Sequence, residues 1–247
     1  VLAMVFEGHT DMVRSIDTDK SGRFLVSGSD DGTIKIWSVD TGRCRKTIQF
    51  DGVVRSVKWC PNTSLSLILV ATDNKVVLVN PHVHKHAADD TTDSILKDNV
   101  PQSDRIVSDK VRNAVEWMEP TEEEYEKGYR IILKHFKEVT QVTWHGKGDY
   151  FASVMTTGQD RSVLINKISN RHSQFPTSKA KGLVQCVLFH PSKPFLFVAT
   201  QTHIRIYNLV KQVLVKKLLT NSKYISSMDI HPGGDNLIVG TYDRKVL

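Results

Sequence analysis

His9, Ser27 and Asp31 are the residue types of a nucleophilic hydrolase site. For that chemistry the serine must be exposed in a cleft, with the imidazole beside it as base and donors placed for an oxyanion. The same three types serve equally well buried between strands, each satisfying the others' polar groups. A second group, His82, His84 and His86, alternates along the chain, so on an extended segment the imidazoles project to one side, as zinc or copper would require. Lys85 stands among them and no cysteine is near, which argues against a metal. Gly146-Lys147-Gly148 lacks the length and the Ser or Thr of a phosphate-binding loop and reads as a turn. The sequence shows no dinucleotide-binding glycine pattern, no nucleophile elbow and no carboxylate pair on a common rigid element, so it gives no ground for an enzyme, a metal or a cofactor.

The setting of the first group decides between its two readings. Gly28 to Trp37 is a hairpin written in turn chemistry: an alternating strand enters a turn at Ser29-Asp30-Asp31-Gly32, and a second alternating strand ends on Trp37. The turn position recurs at Asp31, Asp73, Asp160, Gln201 and Asp243, at intervals of 42, 87, 41 and 42. The strand opening each unit recurs at Ile16, Val57, Val142, Val187 and Met228, at intervals of 41, 85, 45 and 41. Each unit reads as four short strands: Val13 to Asp17, Phe24 to Gly28, Thr33 to Trp37 and Arg43 to Phe50 in the first, and Val184 to His190, Phe195 to Thr200, Ile204 to Tyr207 and Val213 to Leu219 in the fourth. Four alternating strands every forty-odd residues are the pattern of a β-propeller blade. The expected fold is therefore all-β, with His9, Ser27, Asp31 and Trp37 tying a blade together.

The one doubled interval has a cause. Between Asn80 and Tyr129, which end the third and begin the fourth strand of unit two, about 48 residues of different composition intervene. Residues 82–128 carry twelve acidic and six basic side chains, so this insertion is net −6 while the whole chain is +6 and the remainder +12. Thr121-Glu122-Glu123-Glu124 reads as a capping box that opens a short helix closed by Gly128. Residues 86–104 are polar and aperiodic, an excursion without structure of its own. Trp117, Met118, Glu122, Glu123 and Tyr125 are its candidate partner-binding residues.

The basic excess falls on fourth strands, the outermost of a propeller blade: Arg43, Arg45 and Lys46 in unit one, Arg171, Lys179 and Lys181 in unit three, Lys216 and Lys217 in unit four. Lysine and arginine on such edges protect against strand addition, and they also form a rim that phosphates can bind without reading bases. Cys44, Cys60 and Cys186 are odd in number and far apart, and are expected as free thiols. No apolar run approaches the roughly 18 residues that a membrane helix needs.

Gly8-His9 and Ser27 to Thr33, ending in Trp37, resemble the WD-repeat signature, with Ser38 where the family often has Asp. Unit one keeps the whole set, and the later units keep the spacing while losing the His and the Trp. Val139 to Tyr150, Phe189 to Phe195 and His231 to Asn236 resemble the carboxy-terminal propeller of the block-of-proliferation ribosome-biogenesis family, called Erb in yeast. That resemblance implies a seven-bladed ring, of which residues 1–247 would be one incomplete domain of four to five blades. The last two blades, on the order of 100 residues, and the family's amino-terminal region would lie outside it. It also implies a non-enzymatic scaffold of the nucleolus and nucleoplasm, without cofactor, membrane or small-molecule substrate, that matures the large ribosomal subunit. The implied partners are a pescadillo-type protein, a second WD-repeat protein with a ubiquitin-like domain, and pre-ribosomal RNA of the pre-60S particle. The competing expectation is a WD-repeat adaptor that reads peptides, such as a substrate receptor, on the face of the ring and in its central channel.

Overall fold

The structure, a computed structural model, describes residues 4–83, 86–98, 108–157, 162–176, 182–222 and 224–247; for residues 86–90 and 98 it describes the backbone alone. The fold is all-β, 48% strand and 9% helix. Blade one is β1 (Val13–Thr18), β2 (Phe24–Ser29), β3 (Thr33–Ser38) and β4 (Cys44–Gln49), antiparallel and in sequence order. Blade three repeats this with β10 (Gln141–Trp144), β11 (Tyr150–Val154), β12 (Val163–Lys167) and β13 (His172–Gln174). Blade four has β14 (Val184–Phe189), β15 (Phe195–Thr200), β16 (His203–Asn208) and β17 (Val213–Leu219). A fifth unit begins with β18 (Ile225–Ile230) and β19 (Leu237–Thr241).

Blade two departs from the pattern. Its strands β5 (Val54–Trp59), β6 (Ile68–Thr72), β7 (Lys75–Val79) and β9 (Tyr129–His135) are followed outward by a fifth, β8 (Val115–Met118), which the insertion supplies. The fourth strand is therefore not outermost here, contrary to the sequence expectation.

Sheets buried on both faces need apolar side chains in both directions, and β6, Ile-Leu-Val-Ala-Thr, is buried at every position. Between blades one and two lie Val26, Ile34, Ile36, Val57, Ile68 and Val70; blades two and three enclose Leu69, Leu78, Leu133, Phe151 and Leu164. Side chains also lace the first four innermost strands, each to the next. Ser15 Oγ exchanges hydrogen bonds with the Val57 backbone, Ser56 Oγ accepts from Val142 N at 3.3 Å, and Gln141 bonds both backbone groups of Val187. These three residues each immediately precede the repeated strand residue of their own unit.

Residues 4–6 form no strand, and Phe6 meets the Trp37 ring edge-on at 5.8 Å, packing by side chain without a ladder. One further expectation is corrected. Residues 86–98, read as aperiodic, form the helix α1 (His86–Asp98). Among its described side chains the anchoring face has one apolar member, Leu96, together with Thr92, whose Oγ1 accepts from Ser66 N at 2.8 Å, so polar contacts stand beside a narrow apolar stripe. Ser108 precedes the short helix α2 (Asp109–Arg112), and Thr121 and Glu124 complete a reciprocal capping box at the start of α3 (Glu122–Lys127). Gly128 closes α3 at φ 111°, a conformation that a Cβ would strain. No described helix is long and apolar enough to cross a membrane.

Candidate functional site

The turn between β2 and β3 brings the first group together. Gly32 takes φ 76° and Gly32 N donates to Ser29 O, which points Asp31 back toward the connection that carries His9. His9 Nδ1 lies 2.8 Å from Asp31 Oδ2 and His9 Nε2 lies 2.7 Å from Ser27 Oγ. Ser27 Oγ in turn accepts the Trp37 indole N–H at 2.8 Å. The serine is 4% exposed and Trp37 2%. A nucleophile needs an open approach, which this oxygen lacks; it is the shared acceptor of a closed network. Burial works to raise the Asp31 carboxyl, but donors from Thr33, Thr10 and His9 outweigh it and hold the group well below the usual carboxylate range.

Blade three contains a second network that the sequence reading missed. His135 ends β9, as far before Val142 as His9 is before Ile16, a spacing that could have revealed it. His135 Nε2 is 2.8 Å from Ser153 Oγ, which accepts from Asn166 Nδ2 at 3.2 Å. Asn166 pairs across the ladder with Phe151 as Trp37 pairs with Leu25, so the amide stands where blade one has its indole. Asn166 Oδ1 then accepts from Ser173 Oγ at 2.7 Å, and Ser173 Oγ accepts the indole N–H of Trp117 at 2.9 Å. That tryptophan comes from β8 in the insertion. All of His135, Ser153, Asn166 and Ser173 are buried, and burial pushes the His135 imidazole down to about 4. The turn residue of this unit, Asp160, lies outside the described residues.

A buried arginine ties the insertion to blade two. Arg130, 6% exposed, donates from Nε and Nη2 to both carboxylate oxygens of Asp93 at 2.6 and 2.9 Å, and lies over the Tyr125 ring at 3.9 Å. Burial tends to raise the Asp93 carboxyl, and the hydrogen bonds from Arg130 and Asn80 overcome it and lower it. His82 Nε2 lies 2.6 Å from Arg130 Nη2, so this imidazole belongs to the arginine cluster. His84 is outside the described residues and only the backbone of His86 is described. Among the described residues no group of three or more His, Cys, Asp or Glu could hold a metal. Cys44, Cys60 and Cys186 are free cysteines.

The remaining candidate residues divide into those the fold uses and those left at the surface. Trp117 is taken up by the blade-three network, and Tyr125, partly exposed, underlies Arg130. Met118, Glu122 and Glu123 are exposed, the last paired with Lys127 at 2.7 Å. Among the basic residues, Arg171 forms an ion pair with Glu119 of the insertion. Lys179 and Lys181 lie outside the described residues. Arg43 and Arg45 are exposed on or beside β4 and form no ion pair with a described residue; Lys46 is half-buried between them and Thr47. Lys216 and Lys217 are both exposed on β17.

The repeat geometry has counterparts among known proteins. The family described as "WD domain, G-beta repeat" matches residues 1–38 and 212–247. Over 247 residues the chain is 57% identical to the protein named "Ribosome biogenesis protein BOP1 homolog" of Drosophila sechellia, and 56% identical to that of Drosophila grimshawi. Each alignment covers 100% of this chain and 31% of the relative, so the chain spans about a third of the length of these curated relatives.

Proposed function

Because the chain belongs to the WD-repeat family of the BOP1 homologs, we propose that it acts in ribosome biogenesis as a non-enzymatic scaffold, a propeller that holds partner proteins and precursor ribosomal RNA together during assembly of the large subunit. A nucleolar and nucleoplasmic location follows from that role. The expected protein partners are of the pescadillo type and the WD-repeat type with a ubiquitin-like domain. The closed network around Ser27 supports a scaffold over a hydrolase, since the residue types that could do chemistry are consumed in holding a blade.

The observation that carries the RNA half of this reading is the outer strand of blade one. Arg43 and Arg45 are exposed there without a carboxylate partner among the described residues, whereas Arg171 of blade three is neutralised by Glu119. Unpaired guanidinium groups on an outer edge fit the sugar-phosphate backbone, which is recognised by charge. The test is RNA affinity as a function of salt for the variant Arg43→Glu, Arg45→Glu, Lys46→Glu. If each residue contacts one phosphate, binding weakens and the log-log salt slope flattens by about 2. Unchanged affinity at low salt would remove RNA from this rim.

A further inference from the structure

Lys216 and Lys217 sit on a strand of a different character from β4. Along β17, Val213, Leu214, Val215 and Leu219 are 49%, 44%, 53% and 60% exposed, while no residue of β4 is a large exposed hydrophobic. An open outer strand with apolar side chains is a template for another strand, and native edges are normally blunted against this. Blade two shows what such an edge accepts in this fold. There β8 pairs antiparallel with β9, and the ladder row Lys75, Lys134, Glu116 sets two lysines on adjacent strands and places a carboxylate of the added strand opposite the second. The flanking residue Trp117 meanwhile fills the cleft toward blade three.

Blade four has a comparable pair of cations two residues further along the strand, since Lys75 corresponds to His203 and Arg205 to Val77, and no added strand lies beside it among the described residues. Val198 pairs with Arg205 and Arg205 with Lys217, so two cations again stand side by side on adjacent strands. Like charges opposite one another destabilise a sheet unless something compensates them. Arg205 is 8% exposed and its Nη1 has no hydrogen-bond partner among the described residues. The row continues outward to a ladder position beside Lys217 that no described strand occupies.

We propose that β17 is a docking edge for an extended segment of a partner protein, added as a fifth strand, in which a carboxylate faces the Arg205–Lys217 row and alternates with apolar or aromatic side chains. The occupant is a peptide rather than RNA because the lysines are set among Val213, Leu214, Val215 and Leu219, a surface that buries apolar side chains and gives phosphates little. It has the chemistry of Val115-Glu116-Trp117-Met118, the added strand of blade two, seated in a register shifted by two residues so that the carboxylate meets Lys217. This inference stands independently of the RNA rim on β4.

The probe is a synthetic peptide of residues 113–121, compared with its Glu116→Lys counterpart, in binding and amide hydrogen exchange measurements on the whole protein. The acidic peptide should slow exchange along β17, and the lysine peptide should bind at least tenfold more weakly. In Lys217→Glu protein the preference should reverse; Lys217→Gln, a milder change, should reduce the discrimination without reversing it. Equal affinity of the two peptides, or protection elsewhere than β17, overturns the proposal. So does displacement of the acidic peptide from wild-type protein by polyuridylate, which would make the edge a phosphate site. A doubled mass in light scattering without peptide, abolished by Leu214→Asp, would seat a second copy on the edge and equally overturn it.

Discussion

Blades one and three solve one problem in two ways. Both set a histidine against a serine, His9 with Ser27 and His135 with Ser153, at 2.7 and 2.8 Å. In blade one the serine takes its indole from the next strand of the same hairpin, so the network is local and lies within 29 residues, from His9 to Trp37. In blade three the hairpin offers Asn166, and the indole arrives from Trp117 through Ser173, across 56 residues. The insertion is thus part of the neighbouring blade's interior, and the loss of a motif from a repeat does not mean the loss of its network. Where a local residue is missing, a distant one can restore the hydrogen bonds provided a strand such as β8 holds it in place.

Removing the two indoles tests this equivalence most severely. Trp37→Ala should cost about 3–5 kcal/mol, since it empties a fully buried site and leaves Ser27 without its donor. Trp117→Ala should cost less, about 2–3 kcal/mol, because that ring is only partly buried, yet its effect should appear in blade three. Chemical denaturation read together with site-resolved hydrogen exchange measures both. If Trp117→Ala loosens only the insertion and leaves His135, Ser153 and Asn166 as protected as before, the shared-network account fails.

The two blades should also part company in acid. His135 is held neutral, with its folded value near 4 against about 6.5 unfolded, so its contribution is complete above pH 6.5 and declines as pH falls toward 4. Integrated over that window the loss is on the order of 3 kcal/mol. Asp31 has its folded value depressed below the ordinary carboxylate value near 3.9, so its contribution persists until the pH falls below about 4. Blade three should therefore open first on acidification, blade one last. His135→Gln should flatten the blade-three profile between pH 6.5 and 4, and an unchanged profile would show that this imidazole is not the source.

The contrast also explains what could be read in advance. Blade one was legible to the level of its hydrogen bonds because its signals are local: a glycine turn, period-two strands, and four polar residues at motif spacing. The strands of blade four were equally visible, β15 and β17 to the residue. His135 could have been found from its spacing to Val142 but was hidden because its partners do not spell the motif. The roles of Trp117 and Arg130 could not be read, since their partners Ser173 and Asp93 are joined to them only by folding, 56 and 37 residues away. Helix α1 was missed for the related reason that it is fastened by Thr92 and Asp93 more than by an apolar face. The open row at Lys217 likewise becomes visible only when blade two is laid beside blade four.

The smallest expected effect is the one that most sharpens the comparison. In blade four Tyr207 pairs across the ladder with Leu196, the position of Trp37 in blade one, but the serine that would accept from it is replaced by Val198. Its Oη is buried with no hydrogen-bond partner among the described residues. A buried hydroxyl without a partner carries its desolvation cost uncompensated, so Tyr207→Phe should leave stability unchanged or raise it by up to about 1 kcal/mol. Ser153→Ala, which strips the shared acceptor from His135 and Asn166, should lower it by about 1–3 kcal/mol. Opposite signs from two single-oxygen deletions at related positions would mark blade three as a completed network and blade four as an abandoned one. A cost for Tyr207→Phe as large as that for Ser153→Ala would mean that the tyrosine hydroxyl has a partner in the assembled protein.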